Sequence, residues 1–235
     1  TLNEDALADS IASLEVIAAR SISASSMLAL YDSLRAVGST FFCGQPYTYE
    51  GYSYATVAIG TDCWFAENLR VEKLNDGTSI PAGLNDTDWA AAVLPARTVL
   101  DEGGSNEATN AADFGLLYNW FTVTTGNLCP SGWHVPTEAE FVTIINANGG
   151  EASAGPAMKA SATDTPAWDG SNTTGFTGVR SGVRDNDGTF ISDKSLIWTS
   201  SNGGAKAKAF RLNNSGASTL GNEKEKGLGV RCVQD

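Results

Sequence analysis

The chain has 235 residues, of which 42% are hydrophobic, 18% charged and 9% aromatic, which excludes disorder, collagen or a coiled-coil rod for the chain as a whole. The 15 Lys and Arg against 27 Asp and Glu give a formal net charge of -12, which repels phosphate backbones and anionic lipid and argues against a nucleic-acid partner. No apolar run approaches the roughly 20 residues that span a bilayer, so we expect no membrane insertion.

The first 40 residues follow a helical pattern. One face of the first turns carries the apolar residues Leu7, Ile11, Leu14 and Ala18, and a second stripe ends before Gly38. The serines of residues 21–26 weaken helix propensity between the two stripes, so one bent helix or two helices fit. This segment either packs on its own domain or serves as an attachment or oligomerisation segment. The chain starts at Thr1 and not at Met, so we expect that an initiator Met or a longer leader was removed.

From residue 41 the pattern changes to short strands and turns. Residues 47–59 are rich in aromatic and β-branched residues, and Glu50-Gly51 is predicted to be the turn of a hairpin. Residues 84–110 are polar and alanine-rich, which predicts irregular surface structure. Thr137 followed by Glu140 has the spacing of a capping box, so a helix is predicted to begin there and to end near residues 148–149.

The last third of the chain predicts antiparallel strands. Asp185-Asn186-Asp187-Gly188 is typical of a hairpin turn, although its oxygen-bearing side chains also resemble part of a calcium loop without the closing Glu. Three closing strands are predicted over residues 196–200, 205–212 and 227–233. One capped helix followed by three strands indicates an α+β fold and not alternating βαβ units.

Several motifs resemble, in order, those of the Fibrobacter succinogenes major paralogous domain family. They are Gly51-Tyr52 to Gly60, Cys63-Trp64-Phe65-Ala66-Glu67-Asn68-Leu69, Phe114-Gly115 with Leu117-Tyr118-Asn119-Trp120, Cys129-Pro130-Ser131-Gly132-Trp133-His134-Val135-Pro136-Thr137, Asn172-Thr173-Thr174-Gly175-Phe176, Trp198-Thr199-Ser200-Ser201 and Val230-Arg231-Cys232. The resemblance covers about residues 43–235 and leaves the N-terminal helical segment outside.

This resemblance implies a C-type-lectin-like domain over residues 41–235, with a twisted antiparallel sheet and one or two helices, preceded by the helical segment of residues 1–40. Members of the family occur in secreted, cell-surface and virion-borne proteins, mostly without established enzymatic activity. Some are displayed adhesins, and some are diversified in their C-terminal strands by retroelements. We therefore expect an extracellular, cell-surface or virion location.

Four cysteines and one histidine limit the chemistry of the chain. Because no CxxC spacing is present, a zinc site is not expected. The favoured pairing is Cys43 with Cys63 and Cys129 with Cys232, both structural, with reduced buried thiols as the alternative. His134 has no partner at catalytic or metal-binding spacing, so it is predicted to bond loop backbone.

Six tryptophans raise the question of sugar stacking. Four of them lie inside the motifs of the resemblance and are predicted to be core residues: Trp64, Trp120, Trp133 and Trp198. Trp89 and Trp168 lie in predicted loops, and for these two both readings stay open.

The sequence predicts no enzyme, no cofactor and no metal. The Glu-Pro-Asn and Trp-Asn-Asp motifs of calcium-dependent lectins do not occur. The formylglycine-generating enzymes share the broader fold, but they use a close cysteine pair, which this sequence does not offer. No Ser-His-Asp grouping, phosphate loop or dinucleotide fingerprint is found.

A ligand-binding face is predicted on the C-terminal strands. Residues 205–210 alternate, which as a strand would turn the alanines inward and Lys206, Lys208 and Phe210 outward as a basic and aromatic stripe. Residues 213–219 are predicted to be an adaptable polar turn, and a solvated hairpin without binding function is the alternative. In the fold that the chain resembles, these strands and loops form the ligand face. The predicted ligand-binding residues are Ser200, Ser201, Asn202, Lys206, Lys208, Phe210, Asn213, Asn214, Ser218 and Thr219.

Together these features predict a non-enzymatic recognition domain, an adhesin or receptor-binding module, whose partner is a cell-surface protein or glycan. The alternative is a structural capsid, tail or fibre decoration subunit. In that case residues 1–40 would drive formation of a homo-oligomer or larger assembly.

Overall fold

A computed structural model describes residues 41–214 and 216–235, and the helical segment predicted over residues 1–40 lies outside these residues. The described part is a mixed α+β structure with several small antiparallel sheets. Its strands are β1 (Tyr47–Tyr49), β2 (Tyr52–Tyr54), β3 (Thr56–Ile59), β4 (Asp62–Phe65), β5 (Arg97–Thr98), β6 (Leu117–Tyr118), β7 (Trp133–His134), β8 (Val183–Arg184), β9 (Phe190–Ile191), β10 (Ser195–Gly203), β11 (Lys206–Asn213), β12 (Gly216–Asn222) and β13 (Val233–Gln234). The helices in the same residues are α1 (Asp86–Ala90), α2 (Glu107–Phe114), α3 (Trp120–Val123), α4 (Glu138–Ala147) and α5 (Glu151–Met158).

The predicted first hairpin is confirmed. Strands β1 and β2 pair antiparallel around Glu50 and Gly51, whose φ angles are 48° and 77°. Two consecutive left-handed residues match the right-handed twist of the flanking strands, which is why such turns close two-residue hairpins.

A four-stranded sheet joins the beginning and the end of the described domain. Its order is β3-β4-β13-β7, with Val233 of β13 paired to both Trp64 and His134. The strand predicted over residues 227–233 is wrong for all but Val233. Residues 227–229 form isolated bridges to three different elements, so no continuous ladder with one neighbour can form there.

The second main sheet has the order β10-β11-β12. Its first two strands confirm the predictions over residues 196–200 and 205–212, and β10 is longer than predicted. The polar turn predicted over residues 213–219 is wrong from Gly216 onward, because β12 begins there and pairs with β11 along its whole length. Its Gly, Ser and Thr residues carry little strand propensity of their own, so the neighbouring strand decides their conformation.

Helix α4 begins as predicted. Thr137 Oγ1 accepts a hydrogen bond from Glu140 N at 3.2 Å, and Glu140 Oε2 accepts one from Thr137 N at 2.6 Å, so the capping box is complete. The helix ends at Ala147, in agreement with the predicted stop. Helix α5 is not anticipated from the sequence. It lies so close to β12 that a Cβ on Gly155 would come within 2.4 Å of Gly216 Cα.

Residues 84–110, predicted to be irregular, contain α1, β5 and the start of α2. Asn85 caps α1 by accepting a hydrogen bond from Asp88 N, and this turn carries Trp89 into a fully buried position. Helix α1 forms because Trp89 finds a site in the core, which composition alone does not reveal.

The central core lies between α4 and the C-terminal sheet. Phe141 of α4 stacks on Phe210 of β11 with ring centroids 4.4 Å apart, and Phe176 and Trp64 meet the edges of this pair. The predicted outward orientation of Phe210 is therefore wrong, since its side chain is 0% exposed. Its neighbours Ala207 and Ala209 are also buried, because both faces of this strand are covered.

Both predicted disulfides are confirmed. Cys43 bonds Cys63 across a separation of 20 residues, and Cys129 bonds Cys232 across 103 residues. In the chain-entropy account, closing a loop of the longer kind stabilises the fold by about 4.7 kcal/mol. Disulfides persist in oxidising compartments, which indicates an extracytoplasmic protein.

None of the helices within residues 41–214 and 216–235 combines the length and the apolar character that crossing a bilayer requires.

Candidate functional site

The ten predicted ligand-binding residues do not form one face. One group surrounds the turn between β10 and β11 and the start of α4, a region we call the hairpin end. Another group lies at the turn between β11 and β12, which we call the cleft end. Strand β11 has 8 residues, so the two ends of the sheet are about 23 Å apart.

At the hairpin end, Glu138 of α4 binds several of the predicted residues. Its Oε1 accepts hydrogen bonds from Thr219 Oγ1 at 2.8 Å and from Lys208 Nζ at 3.1 Å, while its backbone N donates to Ser201 Oγ at 2.9 Å. The bond from Thr219, and then the bond and charge of Lys208, lower the pKa of Glu138 against the opposing effect of burial. The bonds of Ser201, Lys208 and Thr219 therefore hold the C-terminal sheet against α4.

Lys206 is also neutralised within the protein. Its Nζ lies 2.7 Å from Glu223 Oε1, and Lys226 Nζ lies 3.3 Å from the other oxygen of the same carboxylate. The Lys206 hydrogen bond, with a backbone bond and Lys226, lowers the pKa of Glu223 to about 2. The predicted basic stripe is therefore a set of internal ion pairs and not a free positive surface.

The two remaining polar residues of the hairpin end take part in its local structure. Ser200 N donates to Pro136 O at 2.8 Å, which ties β10 to the loop before α4. Asn202 Oδ1 accepts a hydrogen bond from Gly204 N at 3.0 Å and so braces the turn.

At the cleft end the structure forms an open cavity of about 520 Å³. Asn213 and Asn214, two of the predicted ligand-binding residues, line it, and Ser218 lies next to it through its bond to Arg211. The full lining consists of Trp168, Arg180, residues 193–196, residues 211–214 without a break, and Leu220.

Three cations line this cleft, and none of them is prominent in the sequence pattern. Arg180 is exposed and holds its guanidinium 5.1 Å from the centre of the Trp168 ring. Arg211 Nη2 donates to Ser218 Oγ at 3.1 Å, and Lys194 Nζ lies 3.5 Å from Asp193 of the same loop. In residues 41–214 and 216–235, neither Arg180 nor Arg211 forms an ion pair with a carboxylate.

Trp168 forms one wall of the cleft and is 8% exposed. Lys159 Nζ lies 5.2 Å from the centre of the Trp168 ring and forms an ion pair with Asp169 at 2.8 Å. The hydrogen bond from Lys159, with a smaller contribution from the charge of Arg180, lowers the pKa of Asp169. With 8% of its surface exposed and two cations near its ring, Trp168 offers a sugar little area on which to stack.

The other tryptophans are core residues. The prediction is confirmed for the four that lie in the motifs, with exposures of 0% to 6%: Trp64, Trp120, Trp133 and Trp198. Trp89 is fully buried beneath the Arg184 guanidinium, which lies 4.6 Å from its ring centre.

His134 bonds two carboxylates, so the prediction that it bonds loop backbone is wrong. Its Nδ1 lies 2.6 Å from Asp235 Oδ1 and its Nε2 lies 2.9 Å from Glu140 Oε1. Burial lowers the pKa of the imidazole, but the hydrogen bonds and charges of Asp235 and Glu140 outweigh it, and the pKa is raised. The imidazole thereby ties the end of β13 to the start of α4.

Arg231 is a second polar centre that the sequence does not reveal. It is 0% exposed, its Nε donates to Asn68 Oδ1 at 2.9 Å, and its Nη groups donate to the carbonyl oxygens of Phe176 and Thr177. Burial lowers its pKa to about 9. Through these bonds to amide and carbonyl oxygens the guanidinium holds together three segments of the framework.

The turn of residues 185–188 is confirmed as a hairpin turn between β8 and β9. Asp187 Oδ1 accepts hydrogen bonds from Thr189 Oγ1 at 2.6 Å and Thr189 N at 3.0 Å, so its oxygen is used inside the turn. Within the part of the chain that the structure describes, no group of three or more His, Cys, Asp or Glu side chains is arranged to hold a metal ion.

The residues that line the cleft come from five segments spread over positions 168–220. No local spacing links Trp168, Arg180, Lys194 and Arg211, which is why sequence reasoning missed them. The signal that could have found them is weak: isolated cations in a chain with a formal charge of -12.

A family model described as the Fibrobacter succinogenes major domain matches residues 57–234. No curated protein and no solved structure matches the chain.

Proposed function

The chain belongs to the Fibrobacter succinogenes major domain family, and from this premise we propose that it is a non-enzymatic recognition domain displayed outside the cell, on a cell surface or a virion. In this proposal it acts as an adhesin or receptor-binding module for a protein or glycan. The observation that carries the proposal is the open cleft of about 520 Å³ at one end of the C-terminal sheet. Small-molecule and glycan sites are concave and fall in the range of about 300–1,000 Å³.

The same proposal includes a C-type-lectin-like fold for residues 41–235. Its support is the arrangement in which β13, at the end of the chain, inserts between β4 and β7, while a separate antiparallel sheet carries the loops of the cleft. The two disulfides brace the four-stranded sheet, since Cys63 lies in β4 and Cys232 directly precedes β13. Such a scaffold suits recognition because rigid elements hold the variable loops in place.

We assign the ligand site to the cleft end and not to the hairpin end. At the hairpin end Lys206 and Lys208 are neutralised by Glu223 and Glu138, so a ligand would have to displace existing ion pairs. At the cleft end the cations have few partners and surround open space. Of the predicted residues, Asn213 and Asn214 stay in the proposed site, and Phe210 leaves it.

The non-enzymatic part of the proposal is supported by how the reactive side chains are used. The one histidine of the sequence is held between Glu140 and Asp235, and all four cysteines are in disulfides. Histidine and cysteine are among the commonest general bases and nucleophiles, and here both residue types are used in bonds that hold the fold together.

The test is binding of fluorescently labelled full-length chain to a panel of microbial cells and immobilised glycans. A cleft variant, Arg180→Ala with Arg211→Ala, is compared with the matched control Lys206→Ala at the hairpin end. We expect the wild type and the control to bind the same targets, and the cleft variant to lose at least about tenfold in affinity. Circular dichroism verifies that all three proteins are folded.

Two results would overturn the proposal. If folded wild-type protein binds nothing on the panel and assembles through residues 1–40, the chain is the structural subunit of the alternative. If the control loses binding and the cleft variant keeps it, recognition occurs at the hairpin end.

A further inference from the structure

The arrangement of the cleft end also points to the chemistry of its ligand. Resting on the proposed recognition function, we propose that the cleft binds an acidic sugar, a uronic acid residue of a polysaccharide, with its carboxylate held by Arg180, Lys194 and Arg211.

The first property is charge. Three cations line the cleft against one carboxylate, Asp193, although the whole chain has a formal charge of -12. Elsewhere the lysines of the same sheet are paired with carboxylates at 2.7 Å and 3.1 Å. A local surplus of positive charge in a concave, partly apolar site concentrates the field and attracts an anion.

The second property is the unused hydrogen-bonding capacity of Arg211. A guanidinium has five N–H donors in a planar fork that matches a carboxylate. In the described residues Arg211 makes one side-chain hydrogen bond, from Nη2 to Ser218 Oγ, and its Nη1 makes none. Arg180 contacts the ring of Trp168 and forms no ion pair with a carboxylate of the described residues. Donors therefore remain for an incoming carboxylate.

The third property is the remaining surface of the cleft. Its floor includes Leu196, Leu212 and Leu220, and its polar rim includes Asn213 and Asn214. Apolar patches with amide side chains around them suit a sugar ring, which has C–H faces and hydroxyl edges. A flat protein partner would need a much larger surface than this concavity offers.

The fourth property is the acidic remainder of the molecule. A chain of densely spaced charges, such as a nucleic acid or a highly sulfated polymer, would meet repulsion as soon as it extended beyond the cleft. A uronic acid residue carries a single carboxylate on a ring of hydroxyl groups. This combination fits a small positive site on a negative protein.

The experiment is isothermal titration calorimetry of the full chain with two matched oligosaccharides, a galactose oligomer that ends in one galacturonic acid residue and the all-galactose oligomer of the same length and linkage. The pair differs in the carboxylate at C6, so the comparison isolates its contribution. We expect the acidic oligomer to bind about 10- to 100-fold more tightly, as charge-assisted hydrogen bonds predict. Its affinity should fall as the salt concentration rises.

Variants test whether the cleft provides the charge. Arg180→Gln and Arg211→Gln keep a polar but shorter side chain and remove the charge, and each should weaken binding of the acidic oligomer about tenfold. Lys206→Gln removes a paired lysine at the hairpin end and should leave the affinity unchanged. Thermal unfolding of each variant verifies that the fold is intact.

Three results would overturn the inference. Equal binding of the neutral oligomer would show that the carboxylate contributes nothing, and equal losses in Lys206→Gln would place the charge elsewhere. Absence of binding to any uronate while cells are still bound through the cleft would also overturn it. This last result would leave the recognition function standing, since that function requires only that cleft variants lose cell binding.

Discussion

The two ends of the C-terminal sheet carry similar side chains in different states. At the hairpin end Lys206 and Lys208 each lie within 3.1 Å of a carboxylate oxygen. At the cleft end Arg180 and Arg211 surround a cavity and form no ion pair with the described residues. The cations at the hairpin end stabilise the fold through ion pairs, whereas the cations at the cleft end are available to a ligand.

This difference teaches that a basic stripe in a sequence does not identify a binding surface. In an acidic protein a lysine usually finds a carboxylate from another element, and here Glu138 and Glu223 come from α4 and from the segment after β12. A cation is available to a ligand when the fold leaves it near open space without such a partner. Pairing is a tertiary property, and three changes to residues that contact α4 or belong to it test this interpretation.

The largest effect is expected at Phe210, the residue that the strand pattern assigned to the surface. Phe210→Ala should lower the free energy of unfolding by about 3–5 kcal/mol, because it leaves a cavity against Phe141 and Phe176. Urea unfolding measures the change, with Lys194→Ala in the cleft as the control expected within about 0.5 kcal/mol of wild type. A variant as stable as wild type would mean that Phe210 lies on the surface.

A smaller effect is expected at Glu138. Glu138→Gln should cost about 1 kcal/mol of unfolding free energy, since it weakens the bonds from Lys208 and Thr219 and removes a charge from the first turn of α4. A double-mutant cycle with Lys208→Met isolates the coupling between the two side chains. A coupling of zero would show that Lys208 is as free as the cleft cations, and the contrast between the two ends would fail.

The smallest effect is expected from His134, which ties α4 to the end of β13. Its pKa is raised in the folded state by Asp235 and Glu140 against the effect of burial, so protonated His134 stabilises the fold. This stabilisation is fully present below the ordinary pKa of 6.5 and is lost as the pH rises through the raised pKa. For a half-exposed group the total should stay below about 1 kcal/mol.

Two measurements check this pH dependence. Because the chain has one histidine, its NMR titration is free of overlap and should give a pKa above 6.5. Unfolding free energies of wild type and His134→Gln, compared between about pH 6 and pH 8, should converge as the pH rises. A difference that grows with pH would contradict the assignment, since it would mean that the neutral imidazole is the stabilising form.

Local features of the chain could be predicted where local rules decide them. The capping box of Thr137 and Glu140, the hairpin at Glu50-Gly51 and the pairing of the cysteines all appear as expected. Each depends on neighbours in sequence or on recognisable family motifs. The α+β class follows from the same short-range signals.

The failures occur where a distant partner decides. Strand β12 has few strand-forming residues and exists because β11 pairs with it from Gly216 to Asn222. The segment 227–229 contacts three elements in turn and cannot be a regular strand. Phe210 follows the expected alternation with Lys206 and Lys208. Because α4 covers the strand from Phe210 onward, the face that these residues share is exposed at Lys206 and buried at Phe210.

The sequence by itself determined the family, the α+β class, the capped helix, the first hairpin and the chemistry of the cysteines, because each is written in residues that act close together or in motifs of fixed order. The tertiary structure alone decided which cations are paired and which line open space, since Arg180, Lys194 and Arg211 meet only after segments far apart in the chain have packed. Charge is a property of a residue, but whether that charge is free depends on what the fold brings beside it.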